Sequence, residues 1–259
     1  MQAGDLLSFG SGSVVGFALG LLGGGGSILA VPLLVYVVGV KDTHIAIGTS
    51  ALAVSVNAFA NLISHARAGT VKWPCATVFA AAGMAGAVLG AMAGRHVDGA
   101  HLLFLFGLVM LAVAAGMFSG RAAGGDPLVH ITPSIGGRLA AVGMVVGLLS
   151  GFFGIGGGLL IVPAIMLGSG MTAINAVGSS LVSVGAFGAT TAATYALAGL
   201  VDWRVAAAFI IGGIAGGLIG VKVSVWLSEN RNALSKLFAA VVVIVALFVL
   251  WKSSAGILR

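Results

Sequence analysis

Two runs of glycine, each inside a long apolar stretch, are the residues of this chain best suited to chemistry. They span 23–27 (GGGGS) and 154–158 (GIGGG). Consecutive glycines form helix poorly, at a cost of about 1 kcal/mol each relative to alanine. A helix that restarts after such a break, at Ser27 or Leu159, presents free N–H groups and a positive dipole end, which bind an anion without a charged side chain. The predicted donors are Gly25, Gly26, Ser27, Gly156, Gly157 and Gly158.

Glycines at a spacing of four residues allow a different interpretation. Small residues at this spacing let two membrane helices approach closely. We therefore expect the spaced glycines to pack helices, while the consecutive runs form a site. The spaced sets are Gly12, Gly16, Gly20 and Gly24, then Gly86, Gly90 and Gly94, then Gly212, Gly216 and Gly220.

Two pairs of hydroxyl residues, Thr49-Ser50 and Ser179-Ser180, follow the glycine runs. Each pair lies about one turn into the next apolar segment. Such hydroxyls can donate hydrogen bonds to an oxyanion. They can equally satisfy their own backbone carbonyls, as Ser and Thr often do in membrane helices. Both interpretations stand at this point.

Amide and imidazole groups follow on the same segment as the first hydroxyl pair. Asn57 and Asn61 are one helical turn apart. Asn57 is a candidate substrate contact, and an interhelical hydrogen bond is the alternative. His65, near the segment end, either carries a coupling proton or anchors the helix at the membrane interface, as Trp73 and Trp203 would.

Several kinds of chemistry have no residues to support them. No apolar segment carries an acidic or basic residue at its centre, as a cation carrier or proton relay would. Lys222 lies nearer an end, where it either extends to the interface or attracts an anion. No Ser/His/Asp set lies at membrane depth, and neither glycine run continues as a nucleotide-binding loop. One cysteine and dispersed histidines give no metal framework. We therefore predict a protein that is not an enzyme and has no cofactor and no metal.

The composition indicates that these groups lie in helices that cross a membrane. Of 259 residues, 59% are hydrophobic and 7% are charged, whereas soluble domains carry about 25% charged residues. This excludes an ordinary soluble enzyme, a disordered protein and a nucleic-acid binder. The net charge of +6 comes from basic residues that stand singly between apolar runs, as topology signals do. The sequence predicts an all-α, polytopic membrane protein in a lipid bilayer.

Eight apolar segments are visible, and a straight crossing needs about 20 residues. The first and fifth exceed 30 residues, which is too long for one straight span. Each contains a glycine run followed by proline, so we expect a broken helix or a re-entrant hairpin. The segments are 6–38, 44–66, 75–94, 100–118, 136–168, 172–198, 204–227 and 233–251.

The two halves of the chain repeat one another at an offset of 130 or 131 residues. We divide the chain into a first transmembrane repeat (1–118), a linker (119–135) and a second repeat (136–259), each repeat having four segments. The matching residues include Gly25, Gly26, Val31 and Pro32 with Gly156, Gly157, Val162 and Pro163, and the GTVKW at 69–73 with the GLVDW at 199–203.

The orientation of the repeats has two solutions. If each long segment crosses once, seven basic residues lie on the side of the termini and five on the other, which favours cytoplasmic termini. If the long segments are re-entrant, the repeats are inverted, as in many transporters, and the charge bias disappears.

The same residues give a resemblance to a known family. GGGGSILAVPLL at 23–34, GTSALAV at 48–54, GIGGGLLIVPAIM at 154–166 and GSSL at 178–181 resemble the sulfite exporter TauE/SafE family. The resemblance covers nearly the whole chain. It implies a bacterial inner-membrane permease with four segments per repeat, and substrates such as sulfite, sulfonates and related sulfur-containing organic anions. Ser27, where the second repeat has Gly158, makes the two half-sites unequal.

The predicted function is transport of a small anion by alternating access between the two repeats, and the family resemblance implies sulfite or an organosulfonate as that anion. The predicted substrate-binding residues add Thr49, Ser50, Asn57, Ser179 and Ser180 to the glycine runs. A homo-oligomer is compatible with this, and no nucleic-acid partner is expected. The alternatives are a channel or carrier for a metal cation or neutral metabolite, and a membrane partner that assembles other proteins without transporting.

Overall fold

The computed structural model describes residues 3–119, 126, 129, 131–153, 158–227, 243–244 and 246–251. In this part of the chain the elements are helical, and the strand pairing is limited to one bridge between Asp126 and Met171. The α-helices are α1 (Ala3–Leu22), α2 (Ala30–Leu33), α3 (Thr43–Arg67), α4 (Trp73–Gly94), α5 (Gly99–Ser119), α6 (Pro133–Phe153), α7 (Gly158–Ser169), α8 (Ala173–Ala196) and α9 (Trp203–Leu227).

Six stretches are long and apolar enough to cross a membrane, which confirms the predicted all-α, polytopic membrane architecture. They match six of the eight predicted segments. The fourth predicted segment corresponds to α5, with a shorter apolar stretch at His101–Ala112, and the eighth lies largely outside the described residues. The six are Gly4–Val38, Thr43–Arg67, Trp73–Gly94, Pro133–Phe153, Ile174–Ala196 and Trp203–Ser224.

The first long segment is broken at its glycine run. Helix α1 ends at Leu22, and a 3-10 turn (Gly23–Leu29), the short α2 and a π turn (Leu34–Val38) follow. Gly23 has a φ of +65°, which a residue with a Cβ rarely adopts. Gly26 lies against the backbone of Ala18, so the chain folds back along α1. The α-helix restarts at Ala30, so the predicted restart at Ser27 is wrong, because the glycines continue as a 3-10 turn.

The fifth segment is described on both sides of its glycine run. Helix α6 ends at Phe153 and α7 begins at Gly158, one residue before the predicted restart, while 154–157 are outside the described residues. The predicted linker 119–135 also lies mostly outside them, and α6 already begins at Pro133.

Spaced glycines bring two pairs of helices into backbone contact, as the sequence predicted. Helix α1 packs on α9 with residue numbers rising together, so the two helices are parallel. Helix α6 packs on α4 in the same way, through residues at the repeat offset. The contacts are Gly12–Phe209, Gly16–Gly213 and Gly20–Gly217 in one pair, and Gly143–Phe79, Gly147–Gly83 and Gly151–Ala87 in the other.

Helices α3 and α8 cross at the centre, between these two pairs. The Ser55 hydroxyl donates to the carbonyl oxygen of Gly185 at 2.7 Å, across a separation of 130 residues. Gly188 lies against Ala51, and Gly185 lies against Phe59, so α8 residue numbers fall as α3 numbers rise. The two central helices are therefore antiparallel and meet at equivalent residues.

Large apolar side chains cover the outside of the helices. Leu218 and Trp226 on α9 are 56% and 77% exposed, which suits contact with lipid. Trp73 and Trp203, the first residues of α4 and α9, are also exposed, as expected of interfacial anchors. The side chain of Lys222 is exposed on α9, which fits the interpretation that it extends to the interface.

Candidate functional site

The glycine run of the first half is buried and is held by a hydroxyl from the second half. The N–H of Gly24 donates to Ser180 Oγ at 3.0 Å, and Ser180 Oγ donates to the carbonyl oxygen of Val177 at 2.7 Å. The Ser27 hydroxyl donates to the carbonyl oxygen of Gly24 at 2.9 Å. Gly25 and Gly26 are buried beside them. The break is therefore a polar backbone segment inside the protein, where non-helical backbone is tolerated at membrane depth.

The two glycine runs contact each other. A Cβ on Gly24 would lie 2.8 Å from the Cα of Gly158, and one on Gly158 would overlap the Gly24 carbonyl and the Ser27 hydroxyl. Only glycine at both positions permits this approach. The structure thus brings together Gly24, Ser27, Gly158 and Ser180, while Gly156 and Gly157 lie outside the described residues.

One member of each hydroxyl pair ties the two halves together. Thr49 Oγ1 accepts from the N–H of Asp202 at 2.9 Å, and Ser179 Oγ accepts from the N–H of Lys72 at 2.8 Å. These two bonds are equivalent at the repeat offset. Each fixes the start of α9 or α4 from the opposite half, a structural role that the local sequence around these hydroxyls does not predict.

The second member of each pair bonds its own helix. The Ser50 hydroxyl donates to the carbonyl oxygen of Ile47 at 2.9 Å, as Ser180 does to Val177. This is the local backbone bonding expected of membrane helices. Ser180 in addition accepts from Gly24, which places it at the break of the first half.

Asn57 and Asn61 lie on the face of α3 that packs on α9. They are 0% and 3% exposed, and their amide groups lie against Gly213 and Gly217 respectively. Among the described residues, neither Oδ1 nor Nδ2 of Asn57 finds a hydrogen-bond partner, and neither does Nδ2 of Asn61. The interhelical hydrogen bond considered for Asn57 is therefore wrong. A buried polar group without a partner costs about 1–3 kcal/mol, so these amides are held here at a cost to stability.

Helix α8 carries further buried hydroxyls that the sequence did not single out. Ser183, Thr191 and Tyr195 are 0% exposed, and their hydroxyl oxygens have no hydrogen-bond partner in the part of the chain that the structure describes. Single hydroxyl residues on an apolar helix give no signal in sequence, because nothing distinguishes them from residues that bond their own backbone.

His65 is buried where α1, α3 and the loop after α3 meet. Nε2 lies 3.3 Å from the carbonyl oxygen of Gly20, and Nδ1 lies 3.1 Å from Thr70 Oγ1. The Thr70 hydroxyl also bonds the carbonyl oxygen of His65 at 3.0 Å. With 0% exposure, His65 is not an interfacial anchor; it joins three parts of the first half.

The chain as a whole is similar to known membrane proteins. It matches the family described as "Sulfite exporter TauE/SafE" over residues 8–249. It is 51% identical over 253 residues to a "Probable membrane transporter protein" of Xylella fastidiosa (strain 9a5c), which covers 97% of both chains. A probable membrane transporter protein of Bacillus subtilis (strain 168) is 26% identical over 92% of this chain and 93% of its own.

No solved structure matches the chain significantly. The family match nevertheless covers nearly all of it, including both glycine runs and all of the central helices, and the relatives match over almost their full length. This multi-pass membrane protein belongs to the sulfite exporter TauE/SafE family of membrane transporters.

Proposed function

We propose that this protein moves a small anion, sulfite or an organosulfonate, across the bacterial inner membrane through a site where the two glycine runs meet. The contact between Gly24 and Gly158 is the observation that carries the proposal. In this contact the buried first run lies against Gly158, the described end of the second run, inside the protein. Family membership supports a sulfur-containing anion as the substrate.

The chemistry of the surroundings favours an anion that is bound by neutral groups. Within the described residues, no Asp, Glu, Lys or Arg side chain is buried as a whole, although Arg95 buries its Nε atom, whereas hydroxyls, amides and backbone are fully buried. Backbone N–H groups and hydroxyls stabilise an oxyanion by hydrogen bonds and by their dipoles. The residues proposed to face it are Gly25, Gly26, Ser27 and Gly158 through their backbone, and Asn57 through its amide; the hydroxyl protons of Ser27 and Ser180 are already donated to the carbonyl oxygens of Gly24 and Val177.

The packing supports two inverted repeats that move against each other. Equivalent helices α3 and α8 are antiparallel, and the α1–α9 contacts are repeated by α6–α4. Inverted repeats around a central site are the usual basis of alternating access. The bonds of Thr49 to Asp202 and of Ser179 to Lys72 would then couple the halves during the movement.

The experiment is uptake of radiolabelled sulfite by proteoliposomes that contain the purified protein. Gly26→Val should reduce uptake at least about tenfold, because its side chain would displace the break from α1. Gly10→Val is the control, since a Cβ there meets no atom within 4 Å. Sulfite uptake at the wild-type rate by the Gly26 variant would refute the site. Uptake of nickel or amino acids in place of anions would refute the substrate class.

A further inference from the structure

The amide of Asn57 has an unusual position for a polar group in a membrane protein. It is fully buried on α3 and lies against the backbone of Gly213 on α9, and neither its oxygen nor its nitrogen has a hydrogen-bond partner among the residues that the structure describes. Because both atoms are unpaired, turning the amide so that Oδ1 and Nδ2 exchange places would leave both without a partner as well. Asn61 lies one turn further along, about 6 Å by the helical rise, and its Nδ2 is also unpaired.

The chemistry of a carboxamide limits what can satisfy it. The group offers two N–H donors and one carbonyl acceptor. A sulfonate or fully deprotonated oxyanion offers acceptors alone, so it would pair with Nδ2 and leave Oδ1 unpaired. An anion that also carries an O–H or N–H donor would satisfy both atoms. A ligand that lacks the donor would leave the buried Oδ1 unpaired, and a site of this kind discriminates strongly against such a ligand.

The corresponding place in the second half cannot make this selection. Phe187, which is equivalent to Asn57 at the repeat offset, lies against Gly83, which is equivalent to Gly213. Its ring stacks on Phe79 with a centroid distance of 6.1 Å. At this pair of equivalent positions, the carboxamide is therefore found on the α3–α9 side and an aromatic ring on the α8–α4 side.

We propose that Asn57, supported by Asn61, is the position where this transporter selects anions that carry a donor hydrogen beside their acceptor oxygens. This inference rests on the proposed transport of a sulfur-containing anion and narrows its substrate class. The donor can be a hydroxyl, as in hydrogensulfite or a hydroxyalkanesulfonate, or an ammonium, as in an aminoalkanesulfonate. In each case one ligand pairs with both atoms of the Asn57 amide.

The test uses pairs of sulfonates that differ in one donor group. Hydroxymethanesulfonate and methanesulfonate form one pair, and 2-aminoethanesulfonate and ethanesulfonate form the other. Each is added as a competitor of radiolabelled sulfite uptake in proteoliposomes. For the wild-type protein we expect the hydroxyl or ammonium member of at least one pair to compete at about tenfold lower concentration. Equal competition within both pairs would overturn the inference.

The variant Asn57→Leu keeps the size of the side chain and removes both polar atoms. We expect sulfite uptake to persist at a reduced rate and the preference within the pairs to fall to about twofold or less. Thr191→Val is the matched control, because Thr191 is equivalent to Asn61, is fully buried and lies in the other half. It should retain the preference. An unchanged preference in Asn57→Leu, or its loss in Thr191→Val alone, would overturn the assignment.

Two further results keep this inference separate from the proposed function. If the wild-type protein takes up no sulfite and no sulfonate, the proposed function fails, and the inference fails with it. If uptake occurs without preference, the inference alone fails. Should Asn57→Leu not fold, Asn57→Ser serves in its place, since a single hydroxyl cannot reproduce the two-point pairing and should also lose the preference.

Discussion

The interface of α3 with α9 and the interface of α8 with α4 are built on the same backbone plan but carry different chemistry. In the first, the Asn57 amide lies against Gly213 without a hydrogen-bond partner. In the second, Phe187 lies against Gly83 and stacks on Phe79. The backbone geometry is duplicated, and the side chain that fills it is polar on one side and aromatic on the other.

Other contacts are the same in both halves. The spaced-glycine contacts of α1 with α9 and of α6 with α4 lie at equivalent positions, with Ala87 in the second pair where the first has Gly217, and the Thr49–Asp202 and Ser179–Lys72 bonds are equivalent. These contacts hold helices and loops in place. The comparison shows that the contacts that hold the helices are kept in both halves, whereas a side chain suited to bind the anion can be present in one half and absent from the other.

The largest loss of stability is expected where glycines allow the backbones of two helices to touch, in both halves of the chain. Gly16→Leu and Gly147→Leu each place a side chain inside the backbone of the facing helix, at Gly213 and Gly83. The cost should exceed the about 1–3 kcal/mol of ordinary overpacking, because the backbone cannot move aside. We expect neither variant to yield folded protein by size-exclusion chromatography.

The control for this pair is Gly137→Leu, since a Cβ on Gly137 meets no atom within 4 Å. It should elute as the wild-type protein does. Recovery of folded protein from only one of Gly16→Leu and Gly147→Leu would show that the helix packing is not equivalent in the two halves.

A smaller effect is expected at the aromatic contact of the second half. Phe187→Ala should lower the free energy of unfolding by about 3–5 kcal/mol, because Phe187 is fully buried and its removal leaves a cavity beside Gly83. Reversible denaturation in detergent measures it. Phe187→Leu, which fills most of the space, should lose clearly less. Equal losses in the two variants would mean that the ring does not fill this contact.

The equivalent hydroxyl bonds should contribute smaller and equal amounts. Thr49→Val and Ser179→Ala each leave a backbone N–H, of Asp202 or Lys72, without its partner. Each should lose about 1–3 kcal/mol in the same denaturation experiment. Thr77→Val removes a hydroxyl that bonds its own exposed helix turn and should change stability little. A loss in only one of the two hydroxyl variants would contradict the equivalence.

Much of this scaffold follows from local sequence. The apolar segments predict the helices, and the glycine run predicts the break at Gly23, because four consecutive glycines do not sustain an α-helix. The spaced glycines predict close packing but not their partners. The packing of α1 on α9 joins residues far apart in the chain. The sequence shows which residues of the two halves are equivalent, but it does not show which helices pack together.

The candidate site was harder to predict, because its properties depend on which helices meet. Thr49 reads as a possible ligand in the sequence, yet it bonds the start of α9, which lies 153 residues away. Asn57 reads as a possible bond between helices, yet the surface that faces it is a glycine with no side chain to pair. In both cases the partner is set by tertiary packing, and local patterns do not contain it.

The smallest effect on stability is expected at Asn57. Whether the melting temperature rises or falls there distinguishes a residue that binds the anion from one that holds the helices together. Asn57→Leu replaces an unpaired buried amide with an apolar side chain of similar volume, and such a change is nearly neutral or stabilising. We therefore expect a melting temperature in detergent equal to or above that of the wild-type protein, without added anion. The other buried contacts considered above should all lose stability when altered.

The same melting experiment with sulfite present gives the complementary measurement. A ligand that binds the folded state raises its stability in proportion to the logarithm of its concentration above the dissociation constant. Sulfite should therefore raise the melting temperature of the wild-type protein more than that of Asn57→Leu. A variant that melts well below the wild-type protein without ligand would show that the amide is part of the scaffold, because an unpaired group retained for recognition has no stabilising contact to lose.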